Sequence, residues 1–213
     1  MKFSHILLCI AISTVACSND DDDNMTEPAG PKPSISLNGS NPDTLALNAQ
    51  YSDPGAQAEN DEGSDLSSNI TITGSINKDS VGDYSLRYTV TDAQNASSAS
   101  ITRIVKVRNE ADYLDGIYTA KQYCGSSTNT KPDFNTTIIS SVTINNKIFF
   151  SRLQPVNDTV EANIIGNSII VSSGNSSGTN YTGGTGNITT EELSIPISTN
   201  LPDYTNCVVT IER

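Results

Sequence analysis

Between Pro33 and Asn109 apolar residues alternate with polar ones rather than recurring at helical spacing. Ile35 with Leu37, Leu45 with Leu47, Ile70 with Ile72, the series Tyr84, Leu86, Tyr88 and Val90, and Val105 with Val107 each mark a strand with one buried face. Asn38-Gly39, Asp53-Pro54-Gly55, Glu62-Gly63 and Val81-Gly82-Asp83 read as the turns between them. Five to seven short strands in about 77 residues fit a β-sandwich. Arg103 interrupts the alternation of the last strand and predicts a bulge or an edge position there. From Asp112 to Arg213 the rhythm changes but the period stays near two. Gly116 to Cys124, Ile138 to Ile144, Lys147 to Ser151, Val160 to Ile165, Ser168 to Ser172, Gly183 to Thr189, Glu192 to Ser198 and Thr205 to Ile211 are strand candidates. Asn145-Asn146 and Gly166-Asn167 read as two-residue hairpin turns, because Asn and Gly tolerate the positive φ such turns need. Neighbours in sequence are therefore expected to be neighbours in the sheet.

The first residues follow a different logic. Lys2 gives a positive start, Ile6 to Ile12 form a short apolar run, and Ser13-Thr14-Val15-Ala16 close it with small residues before Cys17. This is the layout of a cleaved export signal, and the run is shorter than the roughly 20 apolar residues a bilayer span requires. Ser18 to Asn24 then bring four consecutive aspartates, and Met25 to Lys32 carry Pro28, Gly30 and Pro31, the composition of a flexible tether. The expected organisation is a signal peptide over 1–16, an anchor and acidic tether over 17–32, a sandwich over 33–109 and a second β domain over 110–213.

Composition narrows the chemistry. The net charge is −12 and the 12 basic residues form no run, which argues against nucleic acid as a partner. Cleavage after Ala16 would remove Cys9 and His5, the only histidine, leaving no Ser-His or Cys-His pair for nucleophilic catalysis. With Cys17 at the new terminus, Cys124 and Cys207 remain, and in an oxidising compartment they form one disulfide. Cys124 closes the first strand of the second domain and Cys207 opens the last. A bond between them would bring the ends of the meander within about 7 Å, as a closed barrel or sandwich does and a flat sheet does not. The expected fold class is all-β, an N-terminal immunoglobulin-like sandwich followed by an antiparallel meander.

Several stretches also resemble known families. Thr14-Val15-Ala16-Cys17 resembles the bacterial lipobox, although Thr14 stands where Leu is usual; the resemblance implies lipid on Cys17. The aspartates after Cys17 resemble the surface-export signal of Bacteroidetes lipoproteins. Pro33 to Gly39, Tyr51 to Ala58, Ile70 to Gly74, Val81 to Asp92 and Arg103 to Val107 resemble the bacterial surface immunoglobulin-like domain also found in some pesticidal crystal proteins. Where that family has an Asp-Gly-Asp step, this chain reads Asp61-Glu62-Gly63-Ser64-Asp65. The family implies a spacer or adhesion module. Leu114-Asp115-Gly116-Ile117-Tyr118 weakly resembles the opening of lipocalin-like barrels. Asp43-Thr44-Leu45, Asp79-Ser80-Val81 and Asp158-Thr159-Val160 resemble the Bacteroidetes O-glycosylation acceptor, which implies Thr44, Ser80 and Thr159 as modified positions.

Candidate sites are few. The acidic stretch Glu59, Asp61, Glu62 and Asp65, with Asp53 and Asp92 near it at the sandwich ends, offers the oxygens that Ca2+ requires, at a spacing unlike an EF-hand. Asp112 with Asp115, or Glu191 with Glu192, are the carboxylate pairs available for acid–base work. Tyr113, Tyr118, Tyr123, Tyr181 and Tyr204 offer flat apolar faces with a hydroxyl, which suits carbohydrate, and Tyr118 and Tyr181 lead among them as ligand contacts. The expected protein is a non-enzymatic outer-membrane lipoprotein held by its lipid and displaying a binding module for a glycan or an envelope protein. A structural subunit of a membrane assembly and a carrier of a small apolar ligand are the alternatives.

Overall fold

The computed structural model describes residues 31–94, 97–125, 130–154, 156–176 and 178–212. The expected signal peptide, Cys17 and the aspartates lie outside the described residues. Among the described residues the regular structure is strand apart from three short 3-10 turns, and no helix is long and apolar enough to cross a membrane.

The first unit contains β1 (Ser34–Leu37), β2 (Asp43–Ala46), β3 (Ala56–Glu59), β4 (Thr71–Thr73), β5 (Gly82–Asp92) and β6 (Ser97–Arg108). β1 and β3 pair antiparallel; the second sheet has the order β2-β6-β5-β4, with β2 parallel to β6. Alternation along β5 and β6 puts Leu86, Tyr88, Val90, Val105 and Val107 inside, and Leu45 and Leu47 pack with Val105 and Val107. β5 pairs with β6 in unbroken register from Gly82↔Val107 to Asp92↔Ser97.

That register corrects the expectation for Arg103. It lies on a central strand opposite Leu86, without a bulge, and is 0% exposed. Its guanidinium takes the place of an apolar side chain because every direction finds an oxygen. Nε donates to the Tyr88 hydroxyl at 3.2 Å, and the terminal nitrogens donate to the backbone carbonyls of Ser40, Asn38 and Gly55. Asp53 completes the arrangement, 3.6 Å from Nε and accepting the Tyr88 hydroxyl proton at 2.6 Å. A buried charge costs several kcal/mol unless it is paired and hydrogen-bonded, and here it ties three loop carbonyls to the sheet.

The second unit contains β7 (Gly116–Cys124), β8 (Thr130–Ser140), β9 (Lys147–Phe150), β10 (Val160–Ile165), β11 (Ser168–Val171), β12 (Gly174–Ser176), β13 (Thr179–Thr182), β14 (Thr185–Ile188), β15 (Glu192–Thr199) and β16 (Cys207–Glu212). Strands β7, β8, β9, β10, β11, β14, β15 and β16 follow one another up and down, and β16 pairs back onto β7. The sheet is thereby a closed eight-stranded barrel. Hairpin β12–β13 is inserted between β11 and β14 and attaches to the end of β15 through Tyr181↔Thr199 and Thr182↔Ser198. Inward positions carry Ala120, Phe134, Ile138, Ile148, Phe150, Val160, Ala162, Ile169, Leu193, Ile195, Val209 and Ile211, which pack on one another and fill the lumen.

The β8 strand and the loop after it differ from the sequence reading. The strand expected at Ile138 to Ile144 instead spans Thr130–Ser140, because Phe134, Thr136 and Ile138 alternate inward behind polar partners. Val142 and Ile144 stand largely exposed in a longer loop, so β8 and β9 are not joined by Asn145-Asn146 alone, although Asn146 does take φ +58°. Gly166-Asn167 is the expected two-residue turn, with Gly166 at φ +57°.

The two units meet through this loop. Val81 N–H donates to the Val142 carbonyl at 2.9 Å, and Asn48 bonds both Thr143 and Asn145. Asn109, 1% exposed, lies at the crossover. Its amide nitrogen reaches the carbonyls of Ser141, Ile144 and Lys147, and its oxygen accepts the N–H groups of Ala111 and Asn146.

Candidate functional site

Strand direction fixes which residues share an end. In the first unit the β5–β6 turn forms one pole, where Ser97 donates to the Pro31 carbonyl at 3.0 Å. Val81 and Arg108, at the other ends of these strands, adjoin the barrel. β5 is 11 residues long, so the poles stand about 35 Å apart at roughly 3.3 Å per residue. In the barrel, the start of β7 and the end of β8 face the first unit. Cys124, Cys207, the β12–β13 hairpin and the turn Pro202–Tyr204 lie at the far end.

The disulfide secures that far end. Cys124 and Cys207 are directly paired across β7 and β16, with Cα atoms 4.0 Å apart and a sequence separation of 83. The expected bond thus laces the seam where the barrel closes.

The leading tyrosines are separated by the fold. Tyr118 lies near the start of β7 and donates its hydroxyl to the Leu114 carbonyl at 2.9 Å. Tyr181 belongs to the far end, some 20 Å of strand away by the same rise. Its ring lies over Gly174, where a Cβ would approach the hydroxyl to 2.6 Å, and it packs against the barrel core. Burial, then Glu161 and Asp158, raises its hydroxyl pKa. Both rings are therefore half-buried and engaged in packing. Tyr204 carries the Lys131 ammonium 4.9 Å above its ring.

Tyr123 is placed differently. It points outward from β7 opposite Val208, which is opposite Pro196, so one outer row crosses three strands. The hairpin borders this row, and a crevice of about 130 Å³ opens there between Thr182, Gly183, Pro196, Ser198, Asn206 and Cys207. Sequence alternation identified Tyr123 as a strand residue, but its neighbours depend on the β15–β16–β7 register, which a linear pattern does not contain.

The acidic candidates are dispersed. Asp65 accepts the Ser67 N–H at 2.8 Å, and hydrogen bonding by Ser67 holds its carboxyl below the usual range. Asp61 and Glu62 occupy an exposed turn organised by the Asn60 side chain, which accepts N–H groups from Glu62 and Ser64. Asp53, expected near them, is held by Tyr88 and Arg103 instead. A groove of about 450 Å³ beside β3 is lined by Gln57, Glu59, Asp65 and Ser67. Among the described residues no three His, Cys, Asp or Glu side chains gather as a metal site. Asp115 of the carboxylate pairs accepts both the N–H and the hydroxyl of Ser140. Glu191 is exposed in the β14–β15 turn and Glu192 is exposed at the first position of β15. Thr44 and Thr159 are exposed, each with its N–H bonded to the preceding aspartate; Ser80 is half-buried and its carbonyl accepts the Tyr84 hydroxyl.

Comparison with known proteins bears on the first unit. Residues 35–107 match the family model described as the immunoglobulin-like domain of bacterial surface proteins. No curated protein matches the sequence. The chain is similar to the crystal structure of the lipoprotein BT2262 from Bacteroides thetaiotaomicron, at 16% identity and TM-score 0.38, over 85% of this chain and 100% of that one. It is also similar to the M60 catalytic domain with the CBM51-1 and CBM51-2 domains of Clostridium perfringens ZmpB, at 12% identity and TM-score 0.31, over 85% of this chain and 21% of that one. The two-sheet unit that carries Arg103 at its centre is a bacterial surface protein immunoglobulin-like domain, residues 35–107.

Proposed function

We propose that this protein is a non-enzymatic accessory lipoprotein of the cell surface, in which the immunoglobulin-like unit holds the barrel away from the membrane for contact with a glycan or an envelope protein. The observation that carries this reading is the polarity of the first unit. The tether meets it at the β5–β6 turn, beside Ser97, and the chain leaves for the barrel from the opposite pole at Arg108 and Asn109. An anchor at Cys17 would then leave the disulfide end of the barrel furthest from the bilayer. The acidic tether favours this orientation, since anionic headgroups repel it.

A lumen filled by the side chains from Ala120 to Ile211 offers little to a small apolar ligand, which argues for contact at the outer surface. An assembly subunit is the second reading, favoured by Ile117 and Ile139, which are 79% and 57% exposed on the outer wall near the junction.

Antibody labelling of intact cells tests the display. Wild-type cells should label without permeabilisation, and a Cys17→Ser variant should lose envelope attachment. Labelling only after permeabilisation would contradict the surface reading. Co-purification of a stoichiometric membrane protein in mild detergent would favour the assembly reading.

A further inference from the structure

From the row and crevice at the far end of the barrel, we infer a binding site for a neutral saccharide, formed by Tyr123, Val208 and Pro196 as a platform and by Thr182, Ser198 and Asn206 as polar contacts. The inference rests on the proposed role of the barrel as the binding unit and names its ligand class.

Three observations lead to it. Antiparallel pairing places Tyr123, Val208 and Pro196 side by side on the outer wall, with Val208 37% exposed. An aromatic ring continued along one row by two small apolar side chains is a surface on which the C–H face of a pyranose can rest, while hydroxyls at its rim seek neutral donors and acceptors.

The crevice beside the row supplies those partners. Asn206 takes φ +51°, and its main chain is fixed by a bond from its N–H to the Ser198 hydroxyl and another from the Gly125 N–H to its carbonyl. Among the described residues its side-chain amide and the Thr182 hydroxyl have no protein partner, so both remain available to a ligand. The adjoining Cys124–Cys207 bond and the close approach at Gly183, where a Cβ would lie 2.2 Å from the Val171 carbonyl, hold the wall in place. Binding groups held in position before the ligand arrives lose less entropy on association.

Charge selects the ligand class. From Ala162 to Thr190 the chain carries no charged side chain, and the residues lining the crevice are uncharged. An acidic polysaccharide would approach a protein of net charge −12 with no cation in the crevice to receive it. A protein partner would ordinarily anchor on a buried aromatic or arginine, and a crevice of about 130 Å³ is better matched to the edge of one sugar ring.

Affinity electrophoresis of the soluble chain, residues 18–213, tests the inference with soluble starch, laminarin, yeast mannan and inulin as neutral probes, and polygalacturonate and chondroitin sulfate as acidic ones. At least one neutral polymer should retard the protein and neither acidic polymer should. Tyr123→Ala, on the outer wall, and Asn206→Asp, which keeps shape but adds charge, should each weaken retardation by about tenfold or more. Retardation by an acidic polymer alone would overturn the neutral-saccharide assignment while leaving the accessory role intact. Neutral binding unchanged in both variants would overturn the location. No retardation by any probe would remove the saccharide class, and the protein-contact form of the proposed function would be decided separately by cross-linking.

Discussion

Asn48 of the immunoglobulin-like unit and Asn145 of the barrel, 97 residues apart in sequence, are joined by a 2.8 Å bond from the Asn145 N–H to the Asn48 side-chain oxygen. The same Asn48 amide donates to the Thr143 carbonyl, and the Asn145 side chain bonds Glu110 in both directions. One barrel loop is thus held by the first unit and by the segment linking the two.

Junction bonds of this kind predict that the two units tumble together, with one shared rotational correlation time. Asn109→Ala would leave the buried Ser141 carbonyl without its donor, at about 1–3 kcal/mol for the stranded group. The expected result is lower stability and separate 15N relaxation times for the two units. A single shared rotational correlation time in the variant would show that the junction does not depend on Asn109. Acid should act in the same direction. Lys78 and then Asn48 hold the Asp79 carboxyl below its ordinary range. Its contribution is present above the unfolded pKa near 4 and is lost as pH falls through the lowered folded value.

Removing Arg103 should be among the most damaging substitutions in the first unit. Arg103→Ala abandons three loop carbonyls and the Asp53–Tyr88 pair, and loss of one member of a buried ionic network typically costs about 3–5 kcal/mol. Arg103→Met, which restores volume without charge, should recover part of that loss. Urea unfolding of both variants would check this, and equal midpoints would show that packing volume contributes nothing at this position.

Alkali should destabilise the first unit. Burial, and then the hydrogen bond to Asp43, push the Tyr51 hydroxyl up to about 12, and burial also raises Tyr88. A raised tyrosine pKa means the neutral form is preferred when folded. That stability is present below about pH 10 and is lost as pH rises towards 12. Tyr51→Phe should flatten the fall in urea midpoint between pH 10 and 12. An unchanged slope would count against the assignment.

Reduction should weaken the barrel selectively. A disulfide closing 83 residues contributes roughly 4 kcal/mol in the chain-entropy model. Paired Cys124→Ala and Cys207→Ala substitutions should lower the barrel transition by about that amount and leave the first transition in place, as calorimetry can resolve.

How much of this was legible in the sequence depends on where the determining contacts lie. Local signals carried far: alternation located β5 and β10, Gly166-Asn167 marked a tight turn, and elimination among the cysteines paired Cys124 with Cys207. The hairpin at Gly174–Thr182 was missed because its Asn, Ser, Gly and Thr residues show no apolar period; it is held by pairing to β15 and by Tyr181 lying over Gly174. Arg103 was misread for a similar reason, since nothing near it in sequence announces the carbonyls of Asn38, Ser40 and Gly55 that receive it. The row from Tyr123 to Pro196 likewise exists only through strand register.

Photo-cross-linking on living cells measures most directly whether the far end of the barrel is the contact surface. A benzophenone side chain is placed at Tyr123 or Asn206 at the far end, and at Thr102 on the exposed face of the first unit. Adducts with a glycan or envelope protein should form from positions 123 and 206 and be absent from 102. Adducts from 102 alone, or equally from all three, would contradict the display of the barrel end as the site of contact.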